Sequence, residues 1–517
     1  MVSDSTTTTA GYPQRLKRGL EVAAVLTIFA LHAGLRVPGV NEPHYLGKAK
    51  HFWNSTWITG DLFLDSADTH QVFYVTVGWI SLFSSLATFA WLGRVVMWTA
   101  QAWTWTRLTR AVVGRAAWAP LSAALFVAAC QHCQMAGEWV IGGLEAKGFA
   151  YALVFLALEF VVRGSWNRAG ITLGAASAFH VLVGGWTTVA SALCWIGVDR
   201  RRAPLKKIVP GIAVGGLIAS LGLVPALSLT WAAPADLIHQ ANVIYVFQRL
   251  RHHLVPQSFP PVLVMRFALL AAAWVAVEWT LPCEPSRRRL RRVVIGSLLI
   301  ASMGTIIALV TAGRPELAAS LLRFYWFRLS DALLPLGAAM TAVALVLRWR
   351  QQRPMVANIM TICLITVGGW HLADRTTAQL ATPRPPADAA DKVTDYEAWC
   401  DVCRWIRQNT PPGTVWLTPR LAQTFKWRAQ RGEVVNWKDI TQDPADIVEW
   451  WHRIRAVHGT VEGGLPRYRE TLAEQGARRL GQLAAQYGAD YCLTRGEPRL
   501  DLPLVYRNRT YAVYRIE

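Results

Sequence analysis

Charge is scarce in this chain. Only 17% of its 517 residues are charged, against about 25% in a typical soluble domain. Acids are the scarcer sign: 33 Asp and Glu stand against 53 Lys and Arg, a formal net charge of +20. The shortage of charge excludes an ordinary soluble protein. Disorder is excluded as well, because it requires low hydrophobicity, and here 53% of the residues are hydrophobic with mean hydropathy +0.25. Trp is plentiful, at 25 residues.

A net charge of +20 suggests an anionic partner. The placement of the cations argues otherwise. Twenty-one of them fall in six short segments between apolar runs: Arg15–Arg18, Arg107–Arg115, Arg163–Arg168, Arg200–Lys207, Arg287–Arg292 and Arg348–Arg353. Membrane proteins keep Lys and Arg in cytoplasmic loops. No stacking or base-reading pattern accompanies the clusters, so nucleic acid is not the expected partner. The partner they imply is the lipid bilayer.

A spanning helix needs about 20 mainly apolar residues. Eleven crossings are expected, at 20–37, 93–108, 117–134, 147–162, 168–182, 184–198, 208–227, 262–281, 293–312, 329–347 and 355–372. A further apolar run, 72–91, reads as a membrane-embedded or interfacial hairpin on the outer side. Counting both 72–91 and 93–108 as crossings puts one basic cluster outside. The expected placement is a multi-pass protein of the inner (cytoplasmic) membrane, with a cytoplasmic N-terminus at 1–19 and an extracytoplasmic C-terminal domain. The first run follows basic residues as in a signal peptide, but no convincing small-x-small cleavage site follows it. An uncleaved anchor is therefore expected.

The transmembrane domain is thus assigned to 20–372, with external loops at 38–92 and 228–260. Pro383, Pro385 and Pro386 mark a linker, 373–387. Residues 388–517 are soluble in composition. Strand signals lie at Val415–Thr418, Val434–Trp437, Tyr491–Thr494, Leu504–Tyr506 and Tyr511–Ile516, and helical patterns at 394–409, 443–457 and 466–487. The expectation is a small α/β domain with no Gly-rich phosphate loop and no nucleophile elbow.

Candidate chemistry gathers on the outer face. Loop 38–92 carries Asn41-Glu42-Pro43-His44-Tyr45, then Asp61, Asp65 and His70, and is slightly acidic. A carboxylate there can act as a general base or hold a divalent cation. Asp61 and Asp65 also suit helix caps. Loop 228–260 carries Arg249, Arg251, His252 and His253. These suit a phosphate or diphosphate, since Arg offers planar donors to phosphate oxygens. An interfacial helix with Arg at the lipid headgroups is the other reading. Adjacent His residues cannot share a helical face, so the pair alone makes no two-His metal site. Glu138, Glu145, Lys147, His180 and Arg323 sit at other outer turns, where ionisable groups near a membrane are costly. A Glu145–Lys147 salt bridge without catalytic meaning is also open. All 12 His residues fall on the outer half. Cys130/Cys133 and Cys400/Cys403 have C-x-x-C spacing without a thioredoxin-like context, and read as buried thiols.

These features together resemble the GT-C type of polytopic membrane glycosyltransferase. Asn41-Glu42-Pro43-His44-Tyr45 stands where that group has its acidic first-loop motif. Glu145-Ala-Lys147-Gly-Phe149-Ala150-Tyr151, and Ala178-Phe179-His180 with Gly184-Gly185-Trp186, are similar to the same group. Thr418-Pro419, Phe425-Lys426-Trp427, Asn436-Trp437-Lys438-Asp439 and Glu449-Trp450 resemble an uncharacterised bacterial family of multi-pass membrane proteins. The resemblance implies an α-helical membrane domain with an external α/β tail. It implies sugar transfer from a polyprenyl-phosphate donor on the extracytoplasmic face. Glu42 would be the base, with Asp61 or Asp65 in place of the second acid. Arg249, Arg251, His252 and His253 would hold the donor phosphate. His44, His70, Glu138, Glu145, Lys147, His180 and Arg323 would meet substrate. Family members usually carry two adjacent acids in the first loop, and Asn41 replaces one of them here. A non-catalytic envelope or polysaccharide assembly protein on the same fold is the alternative. A transporter ranks below it, because Glu159 and Glu278 lie near cytoplasmic span ends rather than at mid-membrane.

Overall fold

The computed structural model describes residues 11–34, 36–462 and 465–516. The apolar runs become helices, with one exception at 72–91. α1 (Gly11–Ala33) leads into the first loop, which opens with α2 (Glu42–Trp53). The run 72–91 is broken into short turns at Gln71–Thr76 and Gly78–Leu82, with Val75, Trp79 and Phe83 exposed. α3 (Leu86–Val113) starts at Ser85, whose hydroxyl accepts from the Thr88 N–H, and stops at Gly114 with φ +77°. A left-handed residue there is a common helix stop. The chain turns through 119° into α4 (Ala119–His132).

The bundle continues with α5 (Ala146–Val162), α6 (Trp166–Phe179), α7 (Val181–Cys194), α8 (Leu205–Trp231), α9 (Ala235–Val243) and α10 (Pro261–Glu278). α11 (Pro285–Val310), α12 (Pro315–Leu322), α13 (Arg328–Gln352) and α14 (Pro354–Ala381) complete it. Among the described residues, six helices are long and apolar enough to cross a membrane: α7 with its continuation to Asp199, α8, α10, α11, α13 and α14. Leu217 and Leu221 of α8, and Ile359 and Ile362 of α14, face outward. An exposed apolar band of that extent requires a bilayer around it.

α6 and α8 pack closely through Gly170 and Gly174 on one helix and Gly211 and Gly215 on the other. A Cβ on Gly174 would lie 2.1 Å from the Gly215 carbonyl oxygen. Small residues four apart allow such backbone approach in membranes. The basic ends of several helices are tied together by buried acids: Arg107 Nε lies 2.6 Å from Glu159, and Arg289 Nε 2.6 Å from Asp199.

α14 runs to Ala381, so most of the expected linker is helical, and a short Pro-rich turn leads into the tail. The tail contains α15 (Tyr396–Asn409), α16 (Pro444–His458) and α17 (Gly476–Tyr487) around a five-stranded sheet. Its strands are β1 (Val415–Leu417), β2 (Gly432–Glu433), β5 (Tyr491–Arg495), β6 (Leu504–Arg507) and β7 (Tyr511–Arg515), in the order β2-β1-β5-β7-β6. β2, β1 and β5 are parallel, and β7 and β6 add antiparallel. Two expectations change. The strand expected at Val434–Trp437 is displaced to Gly432–Glu433. The helix expected over 466–487 gives up its start to a hairpin of β3 (Gly459–Glu462) and β4 (Leu465–Tyr468).

Candidate functional site

A cavity of about 420 Å³ opens at the helix ends opposite the basic clusters. Its walls come from α2, the turn before α5, the α6–α7 junction, α8, the segment after α9, the turn before α13, and the tail. Of the residues singled out in the sequence, His44, His70, Glu138, Glu145, Lys147, His180, Arg249, His253 and Arg323 line it. Asn41, Tyr45, Tyr245, Tyr325, Arg328, Lys438 and Gln442 line it too, and had not been chosen.

The three carboxylates expected to be catalytic do not reach this cavity. Glu42 is fully buried. Its carboxylate accepts from Arg94 Nε (2.6 Å) and Nη2 (2.7 Å), the Gly39 N–H (2.6 Å) and the Leu144 N–H (2.8 Å). Four donors occupy its lone pairs, so the acid of the first-loop motif is a clamp between loop and bundle. Asp61 caps Leu62–Asp65 by accepting from the Phe63 and Leu64 N–H groups. Its other oxygen accepts from the Glu433 N–H (3.1 Å) and lies 3.2 Å from Lys426 Nζ. Asp65 stands 3.2 Å from His51 Nε2. Arg251 donates to Ser258 Oγ, and both Arg251 and His252 are exposed outside the cavity.

On one wall, Lys147 Nζ lies 3.5 Å from Glu138 and 3.6 Å from Glu145. Glu138 is the more heavily engaged. Tyr151 donates to it (3.1 Å), and Arg328 Nε makes an ion contact at 3.0 Å without hydrogen-bond alignment. Among the described residues, Glu145 has only Asn41 Nδ2 (3.0 Å) besides Lys147. Burial raises the Glu145 carboxyl, and Lys147 and Asn41 draw it partly back. A carboxyl raised in this way is a stronger proton acceptor.

Another part of the lining carries Arg249 and Lys438. Arg249 Nε donates to the Trp437 carbonyl (2.8 Å) and Nη2 to the Lys438 carbonyl (3.3 Å). Among the described residues no hydrogen bond or ion pair engages the Lys438 ammonium, which faces the cavity. Burial, and then the neighbouring Arg249 charge, lower Lys438 to about 8. Two adjacent cations, one with no ion-pair partner among the described residues, form a receptor for an anion. His253 gives its Nδ1 to the Ala136 carbonyl, and burial lowers it to about 3. It is a neutral hydrogen-bonding group at this wall. Arg323 Nη1 donates to Asn242 (2.5 Å). Leu223, Ala226 and Leu227 of the lipid-facing α8 complete the lining, so the cavity has an apolar flank toward the bilayer.

The tail is seated on the first loop. Lys426 Nζ meets Glu433 (2.7 Å), Asp439 (2.7 Å) and Asp61 (3.2 Å). Asp439 also meets His44 Nδ1 at 2.9 Å. Asn436 accepts from the Lys438 and Asp439 N–H groups (2.8 and 2.9 Å), and this turn aims Lys438 at the cavity. Asn followed by such a turn is a readable local signal. Among the described residues, no cluster of three or more His, Cys, Asp or Glu is arranged to hold a metal ion.

A match in architecture decides the fold. The structure is similar to ArnT from Cupriavidus metallidurans bound to undecaprenyl phosphate, with TM-score 0.51 and 10% identity, over 96% of this chain and 98% of that one. The fold is that of the GT-C glycosyltransferases. The archaeal oligosaccharyltransferase AglB from Archaeoglobus fulgidus, in complex with an inhibitory peptide and a dolichol-phosphate, is also similar. There the TM-score is 0.46 and identity 12%, over 93% of this chain and 69% of that one. Residues 397–457 match a family model described as a domain of unknown function, DUF6798. No curated protein matches the sequence. The GT-C fold accounts for the membrane domain and the small C-terminal sheet domain.

Proposed function

We propose that this GT-C chain transfers a sugar from a polyprenyl-phosphate donor to a hydroxyl acceptor in the cavity. The carrying observation is that Glu145 and the Arg249–Lys438 cation pair line one cavity flanked by lipid-facing α8. The donor phosphate sits at Arg249 and Lys438, with its isoprenoid chain along Leu223 and Leu227. Glu145 takes the acceptor proton as the acceptor oxygen attacks the anomeric carbon. The carbon–oxygen bond to phosphate breaks, and polyprenyl phosphate leaves with the bonding electrons. The two cations stabilise the charge that develops on the leaving phosphate. Glu145 and Lys438 thus take the roles first given to Glu42 and Arg251. The undecaprenyl phosphate bound by ArnT supports the choice of donor class.

The test is reconstitution of the full chain in proteoliposomes with undecaprenyl-phosphate sugars. Transfer should occur, and Glu145→Gln should lower it by about 10²–10⁴-fold while undecaprenyl phosphate still binds. Wild-type transfer by both Glu145→Gln and Lys438→Ala would overturn the assignment. Undecaprenyl phosphate binding without transfer of any sugar would favour the non-catalytic envelope role.

A further inference from the structure

We infer that the opposite end of the bundle carries a binding site for an anionic phospholipid headgroup with two phosphodiesters. A cleft of about 690 Å³ lies there, lined by Lys17, Arg18 and Glu21 of α1, Arg110 of α3, Arg115 and Trp118 of the following turn, and Arg350 of α13. Four chain segments therefore bring five cations and one acid around one space.

The charge balance sets this cleft apart. Elsewhere at this end, cations at helix interfaces meet buried acids: Arg107 and Arg163 share Glu159, Arg287 meets Glu278, and Arg289 meets Asp199. In the cleft, Glu21 reaches only Arg110, at 3.4 Å. Lys17, Arg18, Arg115 and Arg350 have no carboxylate within ion-pair distance among the described residues. Cations gathered without counter-charge repel one another, and an anion between them relieves that repulsion. Helix-dipole attraction accounts for Arg110 and Arg350, each in the last turn of its helix. It does not account for Lys17 and Arg18 near the start of α1.

The surroundings favour a lipid over a soluble phosphate. The cleft lies where the apolar helices end, and basic pockets between membrane helices on the cytoplasmic side bind such headgroups. Leu16 and Leu20, in the same turns of α1 as Lys17 and Arg18, are 58% and 63% exposed, an apolar surface for acyl chains. Trp118 adds an amphipathic ring of the kind that anchors at the headgroup level. With four cations in excess, a headgroup bearing two phosphates matches the site better than one bearing a single phosphate. This site is independent of the sugar-transfer reading.

The experiment uses the full chain in detergent with tetraoleoyl cardiolipin, dioleoylphosphatidylglycerol and dioleoylphosphatidylcholine, read by native mass spectrometry and titration. Cardiolipin should bind more tightly than phosphatidylglycerol at equal phosphate, and phosphatidylcholine weakly. The double variant Arg115→Gln/Arg350→Gln should bind cardiolipin about tenfold or more weakly. Arg200→Gln/Arg201→Gln, exposed in a different loop, should keep the preference and controls for folding. Inorganic pyrophosphate separates the two sources of the phosphate chemistry: failure to displace cardiolipin supports a lipid site, and displacement at comparable concentration overturns it in favour of a free phosphate. Equal cardiolipin binding by wild type and the Arg115/Arg350 variant would also overturn it.

Discussion

Glu42 and Arg94 form a bidentate ion pair sealed from solvent, with Nε and Nη2 at 2.6 and 2.7 Å from the two carboxylate oxygens. Arg94 also donates to the Gly34 and Arg36 carbonyls, both at 3.2 Å. The pair therefore fixes the end of α1, the start of α2 and the turn before α5 to one point on α3. Glu42→Gln should destabilise the protein by about 3–5 kcal/mol, the usual cost of leaving a buried charge without its partner. Thermal unfolding in detergent measures this. Arg94→Gln should cost a similar amount, and the double variant less than the sum of the two. A Glu42→Gln protein of normal stability that has lost only turnover would return Glu42 to the catalytic role.

The tie between tail and first loop makes a second prediction. Lys426 stands among Asp61, Glu433 and Asp439. Lys426→Met leaves three buried carboxylates with no cation among them. The tail should loosen from the first loop, and limited proteolysis in the turn 382–385 should become faster while the membrane helices stay intact. Lys426→Arg should restore much of the protection. Unchanged cleavage in Lys426→Met would show that the tail is held by other contacts.

The apolar helices were legible because apolar runs and basic ends obey the bilayer, although six described helices, against the eleven crossings expected, are long and apolar enough to span it. The parity of the basic clusters argued against counting both 72–91 and 93–108 as crossings, and the break of 72–91 into short turns was not itself legible. The site was legible only in part. Residue types near the outer membrane surface pointed to Glu138, Glu145, Lys147, His180 and Arg249, which converge on one cavity. The engagement of Glu42 was not legible, because sequence position cannot show that Arg94, 52 residues on, takes up its carboxylate. Lys438 was hidden for a similar reason. It belongs to the tail, and only the docking around Lys426 carries it to the cavity wall.

The close packing of α6 and α8 had a signal that went unread: Gly170 and Gly174 on one helix, Gly211 and Gly215 on the other, each pair four apart. A Cβ on Gly215 would come within 2.3 Å of the Gly170 carbonyl oxygen, whereas Gly216 has open space around it. Gly174→Val should therefore cost about 1–3 kcal/mol or more through forced separation of the helices. Gly216→Ala should be neutral or slightly stabilising. Melting temperatures of the two variants in the same detergent decide the matter, and equal effects would remove the argument from close approach.

The Lys438 ammonium predicts a pH dependence whose sign can be worked out. Its folded value is lowered from 10.5 to about 8. Below about 8 the site carries both the Arg249 and Lys438 charges. As pH rises through 8 the second charge is lost, and with it a charge-assisted hydrogen bond to the bound phosphate worth about 1.5–3 kcal/mol. Undecaprenyl phosphate binding should thus weaken as pH rises above 8, where the phosphate charge is already constant, by roughly 10–100-fold in the limit. Stability runs the other way. Below 8 both folded and unfolded chains hold the proton, and the folded state carries the full cost of the buried charge. Between 8 and 10.5 the unfolded chain binds more protons, so stability rises with pH. Lys438→Met should therefore bind weakly at every pH without losing stability at pH 7. Lys438→Arg should hold its affinity at pH 9, because guanidinium stays charged there. Titration of undecaprenyl phosphate from pH 6 to 9.5 against the three proteins tests this, and a wild-type affinity that does not change with pH would remove Lys438 from the phosphate site.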